Sequence, residues 1–124
     1  MLTDAIAIAV LPAEDLQRAR RFYAEVLGLK AKDSGIEGHV LFEAGKGTQI
    51  LIYERARTKA EHTTLEFVVE DLESVVTALT TKGVKFENYD FENLKTNELG
   101  IAQMGDRKSA WFIDPEGNIV SIST

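Results

Sequence analysis

Glu66 stands in the middle of an apolar run, with Leu65 before it and Phe67, Val68 and Val69 after it. A carboxylate drawn out of water either gains a raised pKa, and can then move a proton, or takes a partner. That partner is a cationic ligand or, in the plainer alternative, bulk water or an arginine such as Arg18. His62 and Thr64 share its strand face, because side chains alternate along a strand. Four strand positions span about 13 Å, so His62 and Glu66 cannot grip one ion through bonds of about 2 Å. His62 is therefore a candidate base at the strand's entrance, or a surface residue. The other histidine, His39, lies beside Gly38, and the chain has no cysteine. Thiolate metal sites, iron–sulfur clusters, disulfides and cysteine nucleophiles are thereby excluded.

Phe42, Tyr53 and Trp111 are candidates to stack on a planar ligand, with ordinary core packing as the alternative for each. Gln49, Gln103, Ser121 and Ser123 offer hydrogen bonds for orienting it. Serine nucleophilic catalysis has no support, since no Gly-x-Ser-x-Gly occurs and nothing pairs a serine with a histidine. Gly45-Lys46-Gly47 reads as a hairpin turn, not a phosphate-binding loop.

The elements that must position these residues come in a repeat. An apolar run at 5–11 is followed by Glu14-Asp15-Leu16, a helix-period segment and Gly28. The run at 64–69 is followed by Glu70-Asp71-Leu72, a second such segment and Gly83. In the first helix Leu16, Ala19, Phe22, Tyr23, Val26 and Leu27 fall on one face; in the second Leu72, Val75, Val76 and Leu79 do. Asp15 and Asp71 are the predicted N-caps, and the glycines are the left-handed stops. Strands are predicted over 29–32, 40–43 and 49–53, then over 85–89, 100–104, 109–113 and 119–123. Residues 91–99 read as a loop or irregular strand. The chain is thus expected to be α+β, one domain of two tandem βαβββ modules: module one 1–54, linker 55–61, module two 62–124.

Twenty acidic against fourteen basic residues give a net charge of −6, which disfavours a nucleic-acid partner. The apolar fraction of 44% suffices for a core in a chain of 124 residues. No apolar run nears the ~18 residues that span a bilayer. No signal-type segment follows Met1, so a cytoplasmic protein without a membrane partner is expected.

The stretches Glu14-Asp15-Leu16, Arg21-Phe22-Tyr23 and Val26-Leu27-Gly28-Leu29 resemble the vicinal oxygen chelate superfamily. So does Trp111-Phe112-Ile113-Asp114-Pro115-Glu116-Gly117-Asn118. That group holds glyoxalase I, extradiol dioxygenases, and fosfomycin- and bleomycin-resistance proteins. The resemblance implies paired modules whose sheets curl into a cup, in a homodimer. It also implies that metal-dependent members place one His or Glu ligand on each of four strands. The corresponding positions here are Ile8, then Ile50 or Leu51, then Thr64, then Ser121. Hydrocarbon side chains have no lone pair, and neutral hydroxyls are poor ligands for Zn²⁺, Ni²⁺, Fe²⁺ or Mn²⁺. The expectation is a metal-free, cofactor-free protein that holds a small organic molecule in the cup. The residues expected to bind it are Ile8, Phe42, Gln49, Tyr53, His62, Thr64, Glu66, Trp111 and Ser121. Two other readings stand beside it. One is a lyase, isomerase or dioxygenase with displaced ligands or with acid/base chemistry at Glu66; the other is a ligand-free interaction module.

Overall fold

A computed structural model describes residues 1–124. The chain divides into two compact units, Met1–Thr58 and Lys59–Thr124. The first runs β1 (Ala9–Ala13), α1 (Leu16–Arg21), β2 (Lys30–Asp33), β3 (His39–Glu43) and β4 (Gln49–Glu54). Its sheet has the order β1-β4-β3-β2, with β1 parallel to β4 and the other pairs antiparallel. The second unit runs β5 (Thr63–Val68), α2 (Leu72–Thr81), β6 (Asp90–Phe91), β7 (Leu94–Lys95), β8 (Ile101–Met104), β9 (Arg107–Ile113) and β10 (Ile119–Ser123). Its main sheet has the order β5-β10-β9-β8, again with only the first pair parallel. Both halves are therefore βαβββ, the second with a small β6–β7 hairpin added.

The helices start where the sequence says. The Asp15 carboxylate accepts from the Arg18 N–H at 3.0 Å, and Asp71 from the Ser74 N–H at 3.2 Å. Each cap satisfies a backbone donor that the first helical turn leaves unpaired. Helix α1 then widens into a π-turn over Phe22–Val26, in which the Leu27 N–H reaches the Phe22 carbonyl at 3.0 Å. Tyr23 in that turn is buried against Phe42, with ring centroids 5.7 Å apart. Phe42, Val40, Ile50, Ile52 and Leu11 complete this core on one sheet face. Across the second sheet Ala110, Phe112, Val120 and Ile122 are buried, as are Leu72, Val76 and Leu79 of α2. Each large apolar side chain so buried contributes about 1.5–3 kcal/mol.

Two predicted strands differ. The run 5–11 joins the ladder only from Ala9, whose partner Ile50 lies one residue inside β4. The segment 85–89 makes no regular strand. Strand β8 pairs with residues 107–110 only. Phe86 and Glu87 take up the remaining edge of β9, through a bridge to Phe112 and a 2.8 Å bond from the Glu87 N–H to the Trp111 carbonyl. Gly100 makes that approach possible: its φ is +86°, and a Cβ there would sit 2.9 Å from Phe86 Cβ. Residues 91–99, expected to be irregular, supply the β6–β7 hairpin.

The turn between β9 and β10 is clamped by one side chain. Asp114 Oδ1 accepts from the Glu116 and Asn118 N–H groups, and Oδ2 from Asn118 Nδ2, all at 2.9 Å. Asp114 is only 2% exposed. Asp114→Ala strands two backbone donors in the interior, at about 1–3 kcal/mol for each unsatisfied group. Urea denaturation should show Asp114→Ala destabilised by about 2–4 kcal/mol; a loss under about 0.5 kcal/mol would contradict the clamp.

Candidate functional site

Alternation places the polar residues of the second sheet opposite its core. Ser121 pairs with Trp111 across β10 and β9, and with Glu66 across β10 and β5. Glu66, Ser121 and Trp111 thus form one row across three strands. On the same face Ser109 pairs with Ser123, and Arg107 with Met104. Along this face lies an open cavity of about 450 Å³ lined by Thr63, Glu66, Met104, Arg107, Ser109, Trp111 and Ser121. That volume lies within the usual range for small-molecule sites, about 300–1,000 Å³. A depression of about 500 Å³ at the start of α1, lined by Glu14, Asp15, Leu16, Gln17, Arg18, Gly38 and Glu54, is larger. It has no aromatic wall; Asp15 in it is the helix cap, and Glu54 comes from the end of β4.

Glu66 is held in a network. Its Oε1 accepts from Ser121 Oγ at 3.2 Å and its Oε2 from Arg107 Nη2 at 3.3 Å. Arg107 also donates through Nη2 to Ser123 Oγ at 2.6 Å and through Nε to the Thr124 carbonyl at 3.0 Å. Partial burial pushes the Glu66 carboxyl up, but hydrogen bonds from Ser123, Arg107 and Ser121, with the Arg107 charge, outweigh it. The net pKa is lowered from 4.5, so Glu66 is ionised at neutral pH. Of the two possibilities for a carboxylate in this run, the structure has the partner, and it is Arg107 rather than Arg18. An ionised Glu66 is no proton donor.

The expected site residues separate into groups. Glu66, Trp111 and Ser121 line the cavity together. Thr64 does not, because a bulge in β5 displaces it. The β10 register jumps from Ile119↔Thr63 to Val120↔Leu65, and Thr64 Oγ1 donates to the Ile119 carbonyl at 3.1 Å. Thr63 takes its place in the lining. His62 lies exposed in the bend before β5. Gln103 is held by its turn, donating to the Gly105 and Arg107 carbonyls. In the first unit Gln49, Leu51 and Tyr53 alternate with the buried Ile50 and Ile52, and so occupy the face opposite that core. Tyr53 is paired with His39, their rings stacked at 6.1 Å. Ile8 precedes β1 and is 41% exposed. Phe42 is a correction: it is fully buried beneath Tyr23 and is unavailable to a ligand.

The cavity residues missed by sequence reasoning are Thr63, Met104, Arg107 and Ser109. Arg107 had a signal, since it precedes Trp111 by four residues in a strand and so shares its face. The strand predicted over 109–113 starts two residues too late and left it out.

The family model of the Glyoxalase/Bleomycin resistance protein/Dioxygenase superfamily matches residues 5–122, and the chain belongs to that superfamily. Among solved structures, lactoylglutathione lyase from Agrobacterium tumefaciens is 22% identical, with 99% of this chain and 95% of that one covered and a TM-score of 0.69. TnmS3, an antibiotic binding protein from Streptomyces sp. CB03234, is 17% identical over 98% and 96%, with a TM-score of 0.70. A glyoxalase/dioxygenase from Nostoc punctiforme is 15% identical over 97% and 90%, with a TM-score of 0.69. At these identities the likeness is one of fold, and the fold carries both enzymes and binders. No curated protein matches the sequence significantly.

The divalent metal of the superfamily's metalloenzymes does not fit the residues present. Of the four corresponding positions, Ile8 and either Ile50 or Leu51 have no donor atom, Thr64 is bonded to a carbonyl, and Ser121 to Glu66. No group of three or more His, Asp or Glu side chains gathers to hold an ion.

A carboxylate with a lowered folded pKa stabilises the fold fully above its unfolded value and loses that contribution as pH falls through the folded value. Glu66→Gln should therefore be less stable than the parent at pH 7, by at most about 1 kcal/mol because the pair is partly solvated. The gap should close as the pH is lowered below about 4.5. A pH-independent gap in urea midpoints would show that the lost contact is not electrostatic.

Proposed function

We propose that this chain is a metal-free binder of a small organic molecule, of the bleomycin-resistance kind, and that it works as a homodimer. The observation that carries the reading is the cavity on the second sheet. It combines an indole wall, hydroxyls and an ion pair, while the superfamily's ligand positions are filled by residues without metal-binding groups. Trp111 supplies contact area and the polar row supplies orientation. The catalytic alternative uses acid/base chemistry at Glu66; the network that keeps the carboxylate ionised counts against an acid role, and the lowered pKa makes it a weaker base.

Dimerisation is supported by the strand edges. β1 and β5 each end a sheet, and Val10 and Val68 on them are 55% and 69% exposed. Unpaired edges with exposed apolar side chains favour a covering partner.

Three measurements test the proposal. Protein purified without chelator should retain far less than one equivalent of Ni, Zn, Fe or Mn after dialysis; a full equivalent would overturn the metal-free reading. A thermal-shift screen of flat organic molecules should give hits that Trp111→Ala weakens by roughly tenfold or more, the scale of a lost aromatic anchor. Hits indifferent to Trp111→Ala would place binding elsewhere. Sedimentation at micromolar concentration should give twice the 13.7 kDa chain mass, and a monomer would contradict the dimer.

A further inference from the structure

The charges in the cavity are already matched to each other. Glu66 and Arg107 lie 3.3 Å apart, and their side chains remain 41% and 51% exposed. Apart from this pair, the lining residues Thr63, Met104, Ser109, Trp111 and Ser121 are uncharged. A ligand cation drawn to Glu66 would sit beside Arg107, and a ligand anion drawn to Arg107 would sit beside Glu66. At nearly equal distances the two Coulomb terms cancel, leaving the ligand's desolvation cost uncompensated. A neutral group with a donor next to an acceptor meets no such penalty. Its N–H can face a Glu66 oxygen and its carbonyl an Arg107 N–H, and both bonds are charge-assisted without breaking the pair.

The rest of the cavity sets the shape. Trp111 lies two strands from Glu66 in the same row, about 10 Å at ordinary strand spacing. Tyr89 meets it at 5.6 Å and 74°, which fixes the plane of the indole. A fused two-ring heterocycle can reach from the ion pair to that wall.

Resting on the proposed binding role, we infer that the ligand is an uncharged, flat heterocycle of the lactam class. Its N–H/C=O edge bonds the Glu66–Arg107 pair and its far ring lies against Trp111. The pair selects against charged ligands of the same shape, and this selection reverses when either partner is removed.

Four small probes test this by calorimetry or thermal shift on the intact protein: quinolin-2-one, its N-methyl derivative, the 1-methylquinolinium cation and quinoline-2-carboxylate. Quinolin-2-one should bind at least about tenfold tighter than each of the others, the scale of one charge-assisted hydrogen bond. In Glu66→Gln the freed Arg107 should shift the preference to the carboxylate. In Arg107→Met the freed Glu66 should shift it to the quinolinium. Circular dichroism verifies that each variant is folded, and either one alone suffices for the reversal. Tighter binding of a charged probe by the parent protein would overturn the inference. So would equal binding of the N-methyl derivative, no binding of quinolin-2-one at millimolar concentration, or unchanged preference in a folded variant. If a wider screen then yields Trp111-dependent ligands of another class, the binding role survives and only the lactam assignment falls.

Discussion

The carboxylate of Asp114, bonded to two backbone N–H groups and one side-chain amide, fixes the turn between β9 and β10. Everything on the second sheet depends on the register it sets. With that register, Trp111, Ser109, Ser121 and Ser123 share one face, while Ala110, Phe112, Val120 and Ile122 fill the core. A slip of one residue would exchange the two sets, putting serines against α2 and aliphatic side chains into the cavity. A fully buried carboxylate is costly unless its oxygens are satisfied, and here the turn backbone satisfies them. The cluster of polar residues inside this hairpin is thus a folding device before it is anything else.

The same hairpin provides the setting for the ion pair. Arg107 begins β9 and Ser123 ends β10, and the 2.6 Å bond between them orients the guanidinium toward Glu66 on β5. Three strands therefore contribute to one electrostatic arrangement. It pulls the Glu66 pKa down in spite of partial desolvation. The result is a stable pair of opposite charges with room on either side, a different object from a lone buried acid poised for proton transfer.

Much of the fold was legible because its signals are local. The caps at Asp15 and Asp71, the helical periodicity and the turn residues act over three or four positions, and the two-module repeat follows from them. The candidate site was legible only in part, because it depends on which face a strand turns inward. Glu66 was placed by alternation with His62 and Thr64, Trp111 by its aromatic type, and Ser121 by the family resemblance. The bulge at Thr64 broke that alternation: it depends on the pairing of β5 with β10, which no short window of sequence encodes. Phe42 was misplaced for a related reason, since a run such as Val40-Leu41-Phe42 has apolar residues on both faces and does not say which one meets Tyr23. Arg107 escaped because a strand's first residue and a turn's last look alike.

The excursion between α2 and β8 partly covers one side of the second sheet. Phe86 and Glu87 occupy the edge of β9 that β8 leaves free, while Thr96 bridges to Ala102 and the Asn97 N–H bonds the Ile101 carbonyl on the outer edge of β8. At Ile101 and Ala102, groups that would template another strand on that side are already engaged. At the other end of the sheet β5 has β10 as its one strand neighbour within it. A strand can be added only where backbone donors and acceptors still face outward, so this partial cover shortens the stretch of the β8 edge on which another chain could grow.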